Sequence, residues 1–207
     1  MSAPATRSAE LSSEQLVALL RACGALLEGH FRLTSGLHSP VYLQCARLLM
    51  DPARAELVCA ALKSKLVQAL PGQGFDVTVA PAMGGIVFGY ELARQLGVPS
   101  LFVERVDGQF ALRRGFAIEP GMRVLIAEDV VTTGLSVREA IACVRGHGGD
   151  VVGAACVIDR SGGGAQLDVP LVALAHLELP VYPADQIPPE LARKPVVKPG
   201  SRPIIGG

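Results

Sequence analysis

Two adjacent carboxylates, Glu128 and Asp129, are followed at short range by Thr132, Thr133, Gly134, Leu135 and Ser136, and each half suits a different part of one ligand. Carboxylates repel phosphate, but they accept hydrogen bonds from sugar hydroxyls and coordinate Mg²⁺. Hydroxyls and backbone N–H groups ahead of a helix do the opposite, because a helix start leaves its first N–H groups unpartnered and attracts anions. A ribose 5-phosphate, with its hydroxyls over the acids and its phosphate on the loop, satisfies both halves. Other readings share parts of the pattern. A Walker B element also places an acidic pair after an apolar run, but it needs a GxxxxGK[ST] loop that this chain lacks. A response-regulator acid pocket leaves the Thr-Thr-Gly loop without a purpose. An ordinary capped strand-to-helix turn leaves the acids without one.

The acids must be held by the apolar run before them. Val124, Leu125, Ile126 and Ala127 read as a central strand of a buried parallel sheet, and the edge where such a strand leaves the sheet is where open α/β sheets bind ligands. Val137, Ala140, Ile141 and Val144 recur at helical spacing, so a helix follows the loop. From Val77 the pattern is that of a doubly wound fold: a strand at 77–80, a helix from about Gly85 to Leu96, and strands at 99–103, 123–127 and 151–158. The fold class expected is α/β, a mainly parallel central sheet flanked by helices.

Ahead of that core, Ser12 and Gln15 form a capping-box pattern before Leu16, Leu19, Leu20 and Cys23, which predicts a helix to about Gly24. Residues 29–49 alternate and carry turn residues, suggesting the short strands of a small N-terminal hood. Asp51-Pro52 caps a second helix whose buried face is Leu57, Val58, Ala61, Leu62, Leu66 and Leu70. Within the excursion from Glu104 to Gly121, Asp107-Gly108 is a hairpin-turn signal, read as a mobile β-hairpin over the site. Seven of the 15 prolines follow Leu179, which predicts an extended, surface-wrapping tail rather than a helix. The plan is a disordered tail over residues 1–10 and a single domain over 11–207, with the hood at about 11–50, the core at about 51–178 and the Pro-rich tail at 179–207.

The 19 basic and 19 acidic residues cancel, and no polybasic block appears, so nucleic acid is not an expected partner. No run approaches the ~20 apolar residues that span a bilayer, and the polar N-terminus has no apolar signal region. No membrane partner and a cytoplasmic location are therefore expected. Five cysteines (Cys23, Cys45, Cys59, Cys143, Cys156) are widely spaced without a CxxC or a Cys/His cluster, and they read as buried free thiols. His30, His38, His147 and His176 lack metal-ligand spacing and are assigned surface or turn roles.

The run of four apolar residues, two acids, two apolar residues and a Thr/Gly loop resembles the signature of the phosphoribosyltransferases. FRLTSGLHSPVYLQ (Phe31 to Gln44), FVERVDGQFALRRGF (Phe102 to Phe116) and PPELARKPVVKPGSR narrow the resemblance to the orotate phosphoribosyltransferases, in the branch typified by thermophilic bacteria. It covers the chain from about Leu11 to its end. The fold implied is the type I phosphoribosyltransferase fold, and the activity implied is transfer of ribose 5-phosphate from phosphoribosyl diphosphate to orotate. Mg²⁺, carried through the substrate near Glu128 and Asp129, and a homodimer are implied with it.

The resemblance also implies roles by position. Glu128 and Asp129 would orient the ribose hydroxyls, and the run Val130, Val131, Thr132, Thr133, Gly134, Leu135 and Ser136 would cradle phosphoribosyl diphosphate. Thr132 and Arg160 would contact orotate, with Arg160 on its carboxylate. Ala82, Met83 and Gly84 would form the diphosphate loop, where relatives often carry a cis peptide near Ala82-Met83, and Ser35 and Gly36 would lie over the base in the hood. Some lysines of better-known relatives are absent: Thr34 and Gly84 stand in their places, and the 104–115 hairpin lacks the familiar Lys/His set. Arg105, assigned to catalysis, and Arg113 and Arg114 are the candidate replacements, reaching the diphosphate when the hairpin closes across a dimer interface. Alternatives are a purine phosphoribosyltransferase, which would have no use for Arg160, and a phosphoribosyl diphosphate-sensing regulator, which would normally need a nucleic-acid-binding surface.

Overall fold

The computed structural model describes residues 11–33 and 35–199, so the expectations for residues 1–10 and for Thr34 lie outside the described residues. Helix α1 (Ser13–Ala22) starts at a complete capping box, with the Ser12 hydroxyl accepting from the Gln15 N–H and the Gln15 side chain accepting from the Ser12 N–H. Strands β1 (Leu26–Arg32) and β2 (His38–Leu43) pair antiparallel, and a single turn, α2 (Ala46–Leu49), follows where the alternation had suggested more strand. Helix α3 (Pro52–Ala69) begins where Asp51 accepts from the Arg54 N–H at 3.1 Å, with Pro52 in the first turn, where a missing N–H costs nothing.

The core then runs β3 (Val77–Pro81), α4 (Gly85–Leu96), β4 (Ser100–Val106), β5 (Gln109–Leu112), β6 (Arg123–Val131), α5 (Leu135–Gly146), β7 (Asp150–Asp159) and β8 (Leu171–His176). The sheet order is β5-β4-β3-β6-β7-β8, parallel except for the antiparallel β4–β5 pair. After β3 the chain builds outward to β4 and then returns to lay β6 on the other side of β3. The carboxyl ends of β3 and β6 thus flank the point where strand order reverses, which is where a crevice opens in such sheets. β8 extends the sheet beyond the strands expected from the sequence.

Alternation along β6 assigns its two faces. Leu125 and Ala127 pack with Leu62 and Leu66 of α3 and Phe88 and Leu92 of α4, whereas Val124 and Ile126 pack with Val137, Ala140, Ile141 and Val144 of α5. All four β6 residues are fully buried. Each of the larger ones contributes about 1.5–3 kcal/mol through burial, and together they fix the register that aims the acids after them.

The tail does more than wrap the surface. It holds one turn of helix, α6 (Pro189–Ala192), correcting the expectation of no helical element, because Pro189 fits a first turn. Beyond it β9 (Val196–Val197) adds a parallel strand to β1, and Tyr182 exchanges two backbone hydrogen bonds of 2.8 Å with His38. The hood is therefore a three-stranded sheet completed by the tail. Its Leu26, Leu43 and Leu48 share one buried cluster with Leu62 and Leu125 of the core.

Candidate active site

β6 carries the acids further than expected, since Glu128 and Asp129 are still in the strand, which ends only at Val131. Ladder bonds to β7 hold both sides of the pair, with Glu128 opposite Cys156 and Val130 opposite Ile158. The two side chains leave opposite faces of β6, yet their carboxyls remain in contact, with Glu128 Oε1 folded back to accept from the Asp129 N–H at 3.3 Å. Glu128 shares the α5 side and lines a cavity of 180 Å³ with Thr132, Thr133, Gly134, Leu135 and Ser136. Asp129 turns toward α4, where a Cβ on Gly84 would lie 3.3 Å from its Oδ1. Both acids thus border the start of α4, and Glu128 also borders the Thr132–Ser136 loop.

The cavity suits an anion. α5 starts at Gly134, whose φ of 74° is left-handed, and no side chain caps the helix. Its first N–H groups are open to a ligand, apart from a long 3.4 Å bond from the Leu135 N–H to the Thr133 hydroxyl. At 180 Å³ it is smaller than the roughly 300–1,000 Å³ of a drug-sized pocket and matches a phosphate better than a nucleotide. A larger cavity of 520 Å³ opens between α1 and α3, but its one charged side chain, Lys65, is engaged with the Leu174 carbonyl at 2.6 Å.

The second loop, Ala82 to Gly84, leaves β3 and enters α4 directly, and the Ala82–Met83 peptide bond is cis, as in the expected form. Gly85 explains the close approach of this helix. A Cβ there would sit 3.0 Å from the Ala127 carbonyl and 3.4 Å from Glu128 Oε1.

Burial raises both acids. The Glu128 carboxyl is pushed up to about 8, by burial first and by Asp129 second, and Asp129 is also raised by burial. The pair therefore retains a proton at neutral pH. Two carboxyls so perturbed, in a crevice, mark a functional site more often than a structural one.

Arg160 follows β7 directly. Its N–H donates to the Val131 carbonyl at 2.8 Å, which fixes it beside Thr132. The side chain is half-buried, and burial lowers its basicity. Among the described residues it has no acidic partner, and its Nε is buried without a hydrogen bond. Cys45, buried after the hood strands, senses both Asp129 and Arg160, so hood end, acid pair and arginine converge.

The other predicted residues lie apart. Ser35 and Gly36 form the tip of the β1–β2 hairpin, where the Gly36 N–H donates to Leu33, and no hydrogen bond or ion pair among the described residues joins them to the acids. The 104–115 hairpin forms as β4–β5 around Asp107-Gly108, at φ of 50° and 83°. There Arg105 is ion-paired with Glu139 of α5, donates to the Gly108 carbonyl at 2.6 Å and lies 4.3 Å over the Phe110 ring. Arg114 pairs with Glu104 at 2.7 Å, and the Arg113 carbonyl accepts from the Phe116 N–H at 3.0 Å. Arg105 is thus held on α5 and Arg114 on β4, and no ion pair among the described residues joins either to Glu128 or Asp129.

Two features escaped the sequence reading. Asp159, directly before Arg160, is buried and engaged by Ser161 and His176; the acid-arginine pair in VIDR was the available signal. His30 and His38 are not surface residues: both are buried, 2.7 Å apart between ring nitrogens, with His30 also against the Lys194 carbonyl.

A family model described as "Phosphoribosyl transferase domain" matches residues 49–170. An orotate phosphoribosyltransferase of Caulobacter vibrioides is 56% identical over 196 residues, 95% of this chain and 100% of that relative. Orotate phosphoribosyltransferase 2 of Mesorhizobium japonicum is 54% identical, over 94% of this chain and 100% of its own. Among solved structures, orotate phosphoribosyltransferase from Aeropyrum pernix superposes with a TM-score of 0.65 at 30% identity, covering 79% of this chain and 94% of that one.

Proposed function

This chain belongs to the phosphoribosyltransferase family and, within it, to the orotate phosphoribosyltransferases, and from that premise we propose how its residues carry the reaction. The reaction transfers ribose 5-phosphate from phosphoribosyl diphosphate to orotate, giving orotidine 5′-phosphate and diphosphate in pyrimidine biosynthesis. Charge separates as the bond at ribose C1 breaks. Catalysis then needs the ribose held, the leaving group's charge met and orotate aligned, with water excluded.

The assignment to orotate rather than a purine is supported by one observation above others: a half-buried arginine without a counter-ion, anchored next to the phosphate loop. A planar guanidinium in that state suits the carboxylate that orotate has and purine bases lack. Thr132 lies on the same side for the ring. Ser136 and the first N–H groups of α5 take the 5-phosphate, and the backbone of Ala82 to Gly84 faces the diphosphate. Glu128 and Asp129 accept from the ribose hydroxyls, releasing their shared proton to solvent as those donors arrive. Ser35 and Gly36 cover the base from the hood.

The donor set fits Mg²⁺ only if the substrate brings it. Two carboxyls that retain a proton offer too few oxygens for an octahedral ion, and no cluster of three or more metal-ligating side chains exists among the described residues. Substrate oxygens would complete its shell beside Glu128 and Asp129. When bound it supplies electrostatic neutralisation of the diphosphate.

A homodimer is proposed from an apolar stripe on α4 and the loop before it: Met83, Val87 and Tyr90 are 84, 53 and 67% exposed. A second copy covering that stripe would adjoin the diphosphate loop and bring Arg105 on its hairpin. A cytoplasmic location is proposed from the five free cysteines, of which Cys45, Cys59 and Cys156 are buried as expected while Cys23 and Cys143 are only partly so, since unpaired thiols suit a reducing compartment. No helix among the described residues is long and apolar enough to cross a membrane.

The test is the fall in orotate ultraviolet absorbance on mixing protein, orotate, phosphoribosyl diphosphate and Mg²⁺. A fall that requires every component supports the reading. Turnover of adenine or hypoxanthine in place of orotate would move it to a purine base, and binding of phosphoribosyl diphosphate without turnover to a sensor.

A further inference from the structure

We propose that Asp159 is a positioning residue for the substrate carboxylate, locking the backbone on both sides of Arg160 so that its guanidinium is aimed before orotate arrives. This rests on the reading of Arg160 as the orotate contact. The N–H of Arg160 is tied to the Val131 carbonyl at 2.8 Å. The next N–H, that of Ser161, donates to Asp159 Oδ1 at 2.8 Å. The first bond constrains φ of Arg160 and the second its ψ, so the direction of its side chain is set by the ends of β6 and β7 rather than by a loop. Asp side chains commonly cap the N–H two residues on in this way.

The same geometry answers a second question, namely why the neighbouring acid does not neutralise the arginine. The Asp159 carboxylate is 4% exposed and has its donors elsewhere. Its other oxygen receives His176 Nδ1 at 3.1 Å, and its backbone carbonyl accepts from the Leu177 N–H at 2.9 Å. Burial raises this carboxyl, yet Ser161 and His176 bring it net below its ordinary value, so it is a satisfied anion. β8 presents His176 directly opposite Asp159 in the ladder as a second, exposed donor, while the Ser161 N–H is the bond that holds the carboxylate on the backbone. Arg160 is left with a charge that only a ligand can meet. Preorganisation of this kind improves binding by removing the ordering cost from the binding step.

The experiment compares separate KM values for orotate and phosphoribosyl diphosphate in four variants, with Tm alongside. Asp159→Ala is expected to raise the orotate KM about tenfold and leave the phosphoribosyl diphosphate KM within about twofold, the size of one lost charge-assisted hydrogen bond. Asp159→Asn, whose amide oxygen still accepts from Ser161, is expected to recover most of that loss. His176→Ala, which removes an exposed ring, is expected to stay near wild type, and Arg160→Ala is expected to raise the orotate KM at least as far as Asp159→Ala. Should Asp159→Ala not fold, Asp159→Glu, which keeps the charge but displaces the carboxylate from Ser161, carries the same expectation.

A wild-type orotate KM in Asp159→Ala or Asp159→Glu, with Arg160→Ala raised, overturns the positioning role and leaves the carboxylate contact standing. Equal rises in both KM values with a matching loss of Tm, unrescued by Asn, overturn it in favour of a purely structural acid. A His176→Ala variant as impaired as Asp159→Ala places the effect in the ion pair and overturns the backbone lock. An unchanged orotate KM in Arg160→Ala removes the carboxylate contact itself, and the positioning role falls with it.

Discussion

Glu128 and Asp129 sit side by side at the end of a buried strand, an arrangement that burdens the free protein and serves the bound one. The folded Glu128 carboxyl titrates near 8, above the 4.5 of an exposed glutamate. An acid raised on folding contributes its full stability below the unfolded value and loses it as pH rises through the folded one. Thermal stability of the free enzyme should therefore decline as pH rises from 4.5 to about 8 and level off above it, and Glu128→Gln, neutral at every pH, should flatten that decline in a pH series of melting curves. The same slope in wild type and variant would show that the pair's proton lies elsewhere. Asp129→Asn should keep Tm at or above wild type, since a buried charge is relieved, while kcat falls by about 10²–10³, the range for loss of one preorganised electrostatic contact. Steady-state kinetics at saturating Mg²⁺ would read this, and wild-type turnover would take Asp129 out of the mechanism.

The β4–β5 hairpin makes a different kind of prediction, because its arginines are held away from the chemistry. Arg105 is spent on Glu139, with the two side chains 43% and 34% exposed. A pair that open to solvent is worth about 0–1 kcal/mol, so Glu139→Ala should move Tm by no more than a few degrees. If Arg105 is the cation that reaches the diphosphate on closure, Glu139 competes with the substrate for it. The variant should then lower the phosphoribosyl diphosphate KM by about two- to threefold, within the range of such a pair, and a raised or unchanged value would remove Arg105 from the diphosphate. The hairpin was legible in the sequence because Asp107-Gly108 is local turn chemistry, as were α1 from its capping box and β6 from its apolar run. What escaped was non-local. β9 is two residues long and exists only through its pairing with β1, and β8 follows a turn-rich stretch that offers no period to read. Single histidines gave no hint that β1 and β2 would bring His30 and His38 ring to ring. The end of β6 was misjudged for a related reason: acids read as the close of a strand, yet the ladder to β7 continues through Val131.

At the scale of the whole molecule, the acids and loops come from one chain, but the cations that would replace the missing lysines do not face them. Among the described residues Arg160 has no counter-ion and is assigned to orotate, and Arg138, also without an acidic partner, donates to the Thr133 carbonyl at 3.0 Å beside the phosphate loop. That leaves the diphosphate with the peptide N–H groups of Met83 and Gly84, since that of Ala82 is bonded to Val103. A second copy resolves this shortage if it docks where large apolar side chains are exposed beside that loop. Val87 and Tyr90 share one face of α4 with Met83 just before its start, and Leu57 of α3, expected on the buried face of its helix, is instead 41% exposed. Introducing a charge at the centre of such a patch opposes association through desolvation while leaving a solvent-exposed fold undisturbed. Val87→Glu should therefore shift the sedimentation coefficient from dimer to monomer with Tm little changed at high protein concentration. Activity should fall with the dimer fraction, because the hairpin would lose its partner site. A dimer that persists with full activity would place the interface on another face, and a monomer with full activity would show that each chain closes its own hairpin over its own acids.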